Sequence, residues 1–135
     1  AIQIEGIITL GRLGDGMIAA LGETEENHLI LSDNKQDSFS NYTNSLQQEF
    51  KPDQWETATI ESTACNAVVL CTDGISDDLL PEKQMTFAQE LYSTYADLES
   101  EERKRDLKRW LNEWPVPGHC DDKTIACLFK KGCSQ

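Results

Sequence analysis

The sequence contains no long apolar run, no basic leader segment and little positive charge. No stretch approaches the ~20 apolar residues that cross a bilayer, and the N-terminal AIQIEG has neither a basic region nor a small-residue cleavage site. Only 12 basic residues stand against 24 acidic ones, which gives a formal net charge of −12. A field of that sign repels phosphate backbones. We therefore expect a soluble, cytoplasmic protein with neither a nucleic-acid nor a membrane partner.

Zinc-binding patterns are also lacking. The two histidines, His28 and His119, are far apart in sequence, and none of the five cysteines forms a C-x-x-C pair. These spacings argue against a structural zinc site. Cys71 and Cys127 lie within apolar runs, so we expect them to be buried, reduced packing residues. That usage suits a reducing compartment.

The first half of the chain has the apolar pattern of strands. Five are predicted, at 2–10, 17–21, 28–31, 56–61 and 67–71. The segment Gly-Asp-Gly at 14–16 is a strong turn signal between the first two, because glycine tolerates positive φ. Asn66 is predicted to lie in the turn before the fifth strand. The polar segment 35–54 has no clear assignment.

The second half changes to helical spacing. Pro81 suits the first turn of a helix, and apolar side chains recur every three or four residues from Phe87 to Leu98. A second helix is predicted from about Ser100 and is stopped by the two prolines of WPVP. The apolar run within 123–130 predicts a last strand that is buried on both faces. Strands followed by helices and a returning strand predict one domain of α+β layered architecture.

Two carboxylates follow the end of the apolar strand at 67–71. In AVVLCTDGISDDL, Asp73 stands just beyond the strand and Asp77 four residues later. Gly74 supports the pair, because it allows a sharp turn and leaves room for an ion or a water molecule. One helical turn brings Asp73 and Asp77 close enough to share a cation, which offsets their repulsion. Hard oxygen ligands of this kind suit Mg²⁺ or Mn²⁺.

Two further segments carry candidate acidic ligands. In GHCDDKTIACLF, Asp121 and Asp122 precede the last strand. If that strand lies antiparallel beside strand 67–71, Asp121 meets Asp73. Asp15 lies in the Gly-Asp-Gly turn. Taken alone, each acid is typical of a turn or a cap, and the joint pattern is what favours a metal site.

These segments resemble hallmark motifs of the type 2C, or PPM-type, metal-dependent serine/threonine protein phosphatases. LCTDGISDDL is similar to the family's apolar strand that ends in S/C-D-G-h-x-D, and GHCDDKTIACLF to the D-N/D-x-T/S-V that opens a core strand. LGDGMIAAL resembles a third motif, a Gly-Asp turn between strands. The resemblance covers nearly the whole chain, in the same order and at similar spacing. It implies the C-terminal portion of an α-β-β-α sandwich, with antiparallel sheets flanked by helices.

The resemblance implies a role for each matched acid. Asp73 and Asp121 match the ligands of a binuclear Mg²⁺ or Mn²⁺ centre, and Asp15 and Asp77 match acids proposed to hold a third ion. Asp122 stands where the family usually has Asn and supports its neighbour among the ligands. The implied reaction is hydrolysis of a phosphoserine or phosphothreonine ester in a phosphoprotein substrate, by a metal-bridging hydroxide that attacks phosphorus in line.

Several family elements have no counterpart in this sequence. The family's N-terminal half supplies an Arg that grips phosphate, a Glu-Asp pair and an Asp-Gly-His-Gly-Gly motif. None of these is matched here, and His119 does not match the family histidine. We therefore expect this chain to need the missing N-terminal half as a partner and to be inactive without it. We also expect the sheet that begins at Ile2 to lack a partner face. Exposed edges and apolar surface would then invite association.

Several interpretations stay open at this point. The chain is a fragment of a longer phosphatase, one of two chains that share a domain, or a non-catalytic phosphatase-like scaffold or regulatory module. An unrelated acidic cation-binding domain, whose motifs match by chance, is a further alternative.

Overall fold

The computed structural model describes residues 1–32, 51–116, 118 and 121–130. Its elements are, in order, β1 (Ile2–Ile4), β2 (Ile7–Arg12), β3 (Met17–Gly22), β4 (Leu29–Leu31), β5 (Glu56–Glu61), β6 (Cys65–Cys71), α1 (Asp73–Ser76), α2 (Pro81–Tyr95), α3 (Ser100–Asn112) and β7 (Ile125–Phe129). Both long helices begin where the sequence predicts. Of the unassigned segment 35–54, only 51–54 lies within the described residues, and Pro52–Gln54 forms a 3-10 turn there.

The strands form two antiparallel sheets. Sheet A has the strand order β1-β2-β5, and sheet B has the order β4-β3-β6-β7. Every pairing in both sheets is antiparallel. Together with the helices, the two sheets confirm the predicted α+β class.

The first predicted strand, 2–10, is in fact a hairpin, and that part of the prediction is wrong. The chain reverses at Glu5 and Gly6, whose φ angles are 48° and 84°, and Ile4 then pairs with Ile7. Two successive positive φ angles are typical of the tight turns that match the twist of paired strands. Because the apolar pattern continues through both strands, it does not mark the reversal.

Two short crossovers carry the chain from one sheet to the other. The turn predicted at 14–16 is present, but it joins β2 of sheet A to β3 of sheet B and does not close a hairpin. A 3-10 turn at Ser62–Ala64 joins β5 to β6 in the same way. Asn66 consequently lies inside β6, not in the turn where the sequence predicts it.

The two sheets pack face to face around a shared core. Leu10 and Ile60 of sheet A are buried together with Ile18, Ala20 and Val68 of sheet B. The expectation that the sheet beginning at Ile2 lacks a partner face is therefore wrong. This chain supplies strands to both layers of the sandwich.

The other face of sheet B packs against the helices. Met17 and Val69 are buried with Ile75 of α1 and Phe87 of α2. The Phe87 ring stacks on Trp110 of α3, with ring centroids 5.9 Å apart. Among the described residues the helices cover sheet B only, which gives a β-β-α arrangement, a part of the implied α-β-β-α sandwich. None of the described helices has the length and apolar character needed to span a membrane.

β7 is an edge strand with one covered face. Its alternate residues Ile125, Cys127 and Phe129 are half-buried on the helix side. Leu128 pairs with Val68, so it faces sheet A, yet it is 57% exposed. The prediction of burial on both faces is wrong, because no described strand of sheet A reaches over β7. A cleft of about 510 Å³ opens there, and its lining includes Ile2, Ile8, Val68 and Leu128.

Candidate metal centre

One end of sheet B gathers the acidic segments. Met17 at the start of β3 pairs with Cys71 at the end of β6, and Cys71 pairs with Ile125 at the start of β7. The predicted antiparallel pairing of the last strand with strand 67–71 is confirmed. Each acidic segment lies within a few residues of this row, so all three meet at one end of the sheet, which we call the acidic edge.

Asp73 and Asp77 flank the single turn of α1. The Asp77 N–H donates to the Asp73 carbonyl oxygen at 2.9 Å, which gives the i, i+4 relation predicted from the sequence. The Asp73 Oδ1 accepts from the Gly74 N–H at 2.7 Å. Both aspartates are exposed, so a cation from solvent can reach them.

Gly74 is buried under the segment that precedes β7. A Cβ added to it would lie 2.6 Å from the carbonyl oxygen of Asp122 and 3.2 Å from that of Asp121. The sequence predicts room for an ion or a water molecule beside Gly74. In the structure the backbone of the second acidic segment fills it, and this close approach is what requires glycine.

Asp15 reaches the acidic edge through its backbone. It lies half-buried in the crossover from β2 to β3, and its carbonyl oxygen accepts a long hydrogen bond of 3.4 Å from Ser76 Oγ of α1. A Cβ on the neighbouring Gly16 would lie 2.6 Å from the Cys71 carbonyl oxygen. The Asp15 turn therefore rests on α1 and on the end of β6.

Arg12 holds the shape of the Asp15 turn, a role that the sequence analysis did not assign. Its Nη1 donates to the carbonyl oxygens of Gly14 at 2.7 Å and of Gly16 at 3.4 Å. Its Nε and Nη2 contact Glu56 Oε2 at 2.8 and 2.7 Å. One guanidinium group, only 12% exposed, thus ties the turn to β5. Its sequence signal is weak, since β2 and β5 pair across a separation of 44 residues.

The described residues do not assemble a complete ligand set. Asp121 and Asp122 are exposed just before β7. Within residues 1–32, 51–116, 118 and 121–130, no three His, Cys, Asp or Glu side chains form a group that could hold a metal ion. The elements that carry the acids meet, but no three of these described side chains form one group. His119 lies outside the described residues.

The oxygen groups at the acidic edge are nevertheless of the type that binds hard divalent cations. They are carboxylate and backbone carbonyl oxygens, which Mg²⁺ and Mn²⁺ prefer. Mg²⁺ usually keeps several water molecules and is bound through one or two carboxylates. Asp73 and Asp121 could fill such a role, with the remaining positions taken by groups from outside the described set.

Trp114, at the end of the helical layer, contacts residues beside the acidic edge. The Trp114 indole N–H donates to Asp78 Oδ2 at 2.6 Å, and the Trp114 ring meets that of Trp110 edge-on, with centroids 4.9 Å apart. Lys123 Nζ lies 5.9 Å from the Trp114 ring centroid. The end of the helical layer thus contacts both the α1 segment and the segment before β7. The sequence gives no sign of this indole hydrogen bond, because its acceptor lies 36 residues away.

The three cysteine thiols of β6 and β7 remain neutral near pH 7. Cys65, Cys71 and Cys127 are free, as expected for Cys71 and Cys127. Burial raises the pKa of Cys71 to about 12 and that of Cys127 to about 11. Because a thiolate is the form that binds metals and attacks electrophiles, these residues serve as packing groups near neutral pH.

An antiparallel sandwich with a helical layer and carboxylates at one sheet end defines an α+β domain with a candidate cation-binding edge. The family model for protein phosphatase 2C matches residues 1–112 of this chain. The chain therefore belongs to the protein phosphatase 2C family, and the resemblance inferred from its motifs is confirmed. Family membership indicates a phosphatase-type domain.

The family match covers some of the candidate ligands and not others. It includes Asp15, Asp73 and Asp77 and ends before Asp121 and Asp122. The last two are assigned by their motif and by the pairing of β7 with β6. No curated protein and no solved structure matches the chain.

Proposed function

We propose that this chain carries the C-terminal part of a metal-dependent protein phosphatase that hydrolyses phosphoserine and phosphothreonine esters. The observation behind the proposal is the meeting of three acidic segments at one sheet end, in a member of the protein phosphatase 2C family. A metal-bridged site requires a shared edge for acids that are distant in sequence, and Asp73 and Asp121, which are 48 residues apart, meet this requirement.

Carboxylates from all three segments are the proposed ligands of Mg²⁺ or Mn²⁺: Asp15, Asp73, Asp77 and Asp121. Asp73 and Asp121 are the proposed ligands of the binuclear centre. Asp73 follows β6, Asp121 precedes β7, and these two strands pair directly. Asp122 supports its neighbour, and its carbonyl oxygen packs against Gly74. Divalent ions, when bound, make a nucleophile available from water near neutral pH and offset charge on the phosphoryl oxygens.

The charge of the chain explains why a cation is needed. The protein has a formal net charge of −12, and its acidic edge alone repels a phosphate dianion. With divalent cations held by these carboxylates, the local negative charge would be offset and a phosphorylated substrate could approach. The carboxylates of this chain would position those cations.

We further propose that an additional segment completes the domain by covering the cleft between β1 and β7. These are edge strands of opposite sheets that border one apolar opening. Edge strands with exposed apolar neighbours are surfaces that proteins usually cover. The missing N-terminal half of the family's domain is the proposed partner, and it would bring the remaining ligands. The free thiols support a reducing, cytoplasmic setting.

The proposed function is tested by Mn²⁺-dependent hydrolysis of a phosphothreonine peptide, with this chain alone and with the full-length product of its gene. We expect activity in the longer form only. Asp73→Asn should lower kcat/KM by roughly 100-fold or more and weaken Mn²⁺ binding, because it removes a charged ligand. Asp97→Asn is the control, since Asp97 is exposed beyond the end of α2. Equal effects of the two substitutions would rule out the site assignment.

A non-catalytic phosphatase-like scaffold is the second candidate. It is favoured by the lack, within the described ranges, of three converging ligand side chains. In that case both forms of the protein would be folded yet inactive with added Mn²⁺. Activity in the full-length form would eliminate this alternative.

A further inference from the structure

Thr72 occupies the position directly before α1, between strand β6 and Asp73. Its backbone is extended, with φ −75° and ψ 166°, as is usual for the residue that caps a helix. A threonine hydroxyl at this position ordinarily accepts from an amide of its own first turn. Here it makes no such bond. The Ile75 and Ser76 N–H groups bond instead to the Thr72 carbonyl oxygen, at 3.0 and 3.1 Å.

The hydroxyl reaches across to the segment that precedes β7. The Thr124 N–H donates to Thr72 Oγ1 at 3.0 Å, and Thr72 Oγ1 donates to the Asp122 carbonyl oxygen at 3.0 Å. A backbone bond from the Thr72 N–H to the Thr124 carbonyl oxygen, 3.1 Å long, lies beside them. One hydroxyl therefore both accepts from and donates to a segment 50 residues away in sequence.

This bridge joins the two acidic segments at the point where they pack together. The Asp122 carbonyl oxygen that accepts from Thr72 is the same atom that packs on Gly74. Asp73 follows Thr72 in sequence and Asp121 precedes Asp122. We infer that Thr72 is a positioning residue, whose hydroxyl sets the separation between the segments that carry Asp73 and Asp121. The consequence for metal binding rests on the proposed function, whereas the bridge itself does not.

The hydroxyl can be separated from the rest of the side chain by substitution. Valine keeps the β-branched shape and the backbone bond to Thr124, but it leaves the Thr124 N–H and the Asp122 carbonyl oxygen without the bridging group. Serine keeps the hydroxyl and loses one methyl group. Thr59→Val is the matched control, because Thr59 is an exposed threonine in a strand, β5.

The test compares Thr72→Val, Thr72→Ser and Thr59→Val by two measurements. The first is hydrogen exchange of the Thr124 amide by NMR in the metal-free chain, and the second is the Mn²⁺ dissociation constant by calorimetry. In Thr72→Val we expect exchange on the order of 10-fold faster and Mn²⁺ binding on the order of 5-fold weaker. Thr72→Ser should stay within about 2-fold of the wild type in both. Thr72→Ala replaces the valine variant if that variant does not fold.

The outcomes separate this inference from the proposed function. Unchanged Thr124 exchange in Thr72→Val overturns the bridge, and faster exchange with unchanged Mn²⁺ affinity overturns the positioning role. Equal losses in Thr72→Val and Thr72→Ser also overturn it, since the hydroxyl would then be irrelevant. If neither the wild-type chain nor the full-length gene product binds Mn²⁺, the proposed function fails and the positioning role fails with it.

Discussion

Because Gly74 has no side chain, the backbone of Asp121 and Asp122 can pack directly against it at the acidic edge. The Asp122 carbonyl oxygen would lie 2.6 Å from a Cβ at this position, closer than real Cβ contacts allow. The obstacle is backbone, so it cannot rotate away as a flexible side chain would. The segment before β7 must therefore move if the glycine is replaced.

Gly74→Ala should destabilise the chain by about 1–3 kcal/mol, because it forces a clash in a packed site. It should also weaken Mn²⁺ binding by displacing Asp121. Urea unfolding and calorimetry measure the two effects. Gly11→Ala is the control, since a Cβ there meets only the Trp55 ring at an ordinary 3.4 Å. Wild-type behaviour in Gly74→Ala would contradict the close packing of the two segments.

Cys71 makes the stability depend on pH in the alkaline range. Burial raises its pKa from 9.0 to about 12, so the folded chain keeps a proton that the unfolded chain releases. The stabilisation is fully present below pH 9 and is lost as the pH rises towards 12, by about 1.4 kcal/mol per pH unit. Urea unfolding between pH 8 and 10.5 should show a shallower decline in Cys71→Ala than in the wild type. Parallel declines would contradict the assigned pKa.

At the scale of elements, an indole hydrogen bond joins the end of the helical layer to Asp78, just after α1. Trp114→Phe keeps an aromatic ring but removes the donor to Asp78, and we expect a loss of about 1–2 kcal/mol in the free energy of unfolding. Asp78 has other interactions, so the single substitution of Asp78 alone does not isolate this bond. A double-mutant cycle with Asp78→Ala isolates it, and the expected coupling is about 1 kcal/mol. Additive losses would show that the bond contributes nothing.

The elements that sequence reasoning located are those whose signal is local. Pro81 opens α2 and the apolar run before Asp73 forms β6, as predicted. The hairpin at Glu5 and Gly6 was missed because the apolar pattern does not change across it. The exposure of Leu128 was missed because it depends on how many strands the facing sheet has, which no local pattern encodes.

One feature of the candidate site was predictable from the sequence, and another was not. Strand pairing makes the meeting of the Asp73 and Asp121 segments predictable, since the end of one antiparallel strand lies beside the start of its neighbour. The role of Thr72 was not predictable, because a threonine before a helix normally caps that helix. Its bridge becomes visible only when the partner segment, 50 residues further on, is in place.

For the whole molecule, the decisive feature is the unequal width of its two sheets. Within the described residues, sheet B has four strands and sheet A has three, so no described strand covers the inner face of β7. Two leucines of similar exposure, one in the cleft and one outside it, serve as test and control positions. Leu128 is 57% exposed in the cleft, and Leu80 is 61% exposed at the start of α2.

Leu128→Lys should leave the isolated chain folded, because its side chain is already largely in solvent, and should prevent association through the cleft. We expect the wild-type chain to self-associate at high concentration, since apolar surface beside open strand edges favours pairing. Sedimentation equilibrium should then show a monomer for Leu128→Lys and continued association for Leu80→Lys.

In the full-length gene product, Leu128→Lys should lower thermal stability more than Leu80→Lys, because there the cleft would be covered and a lysine would be buried. Equal stability of the two variants would mean that the completing segment lies elsewhere, and the proposed partner surface would have to be abandoned.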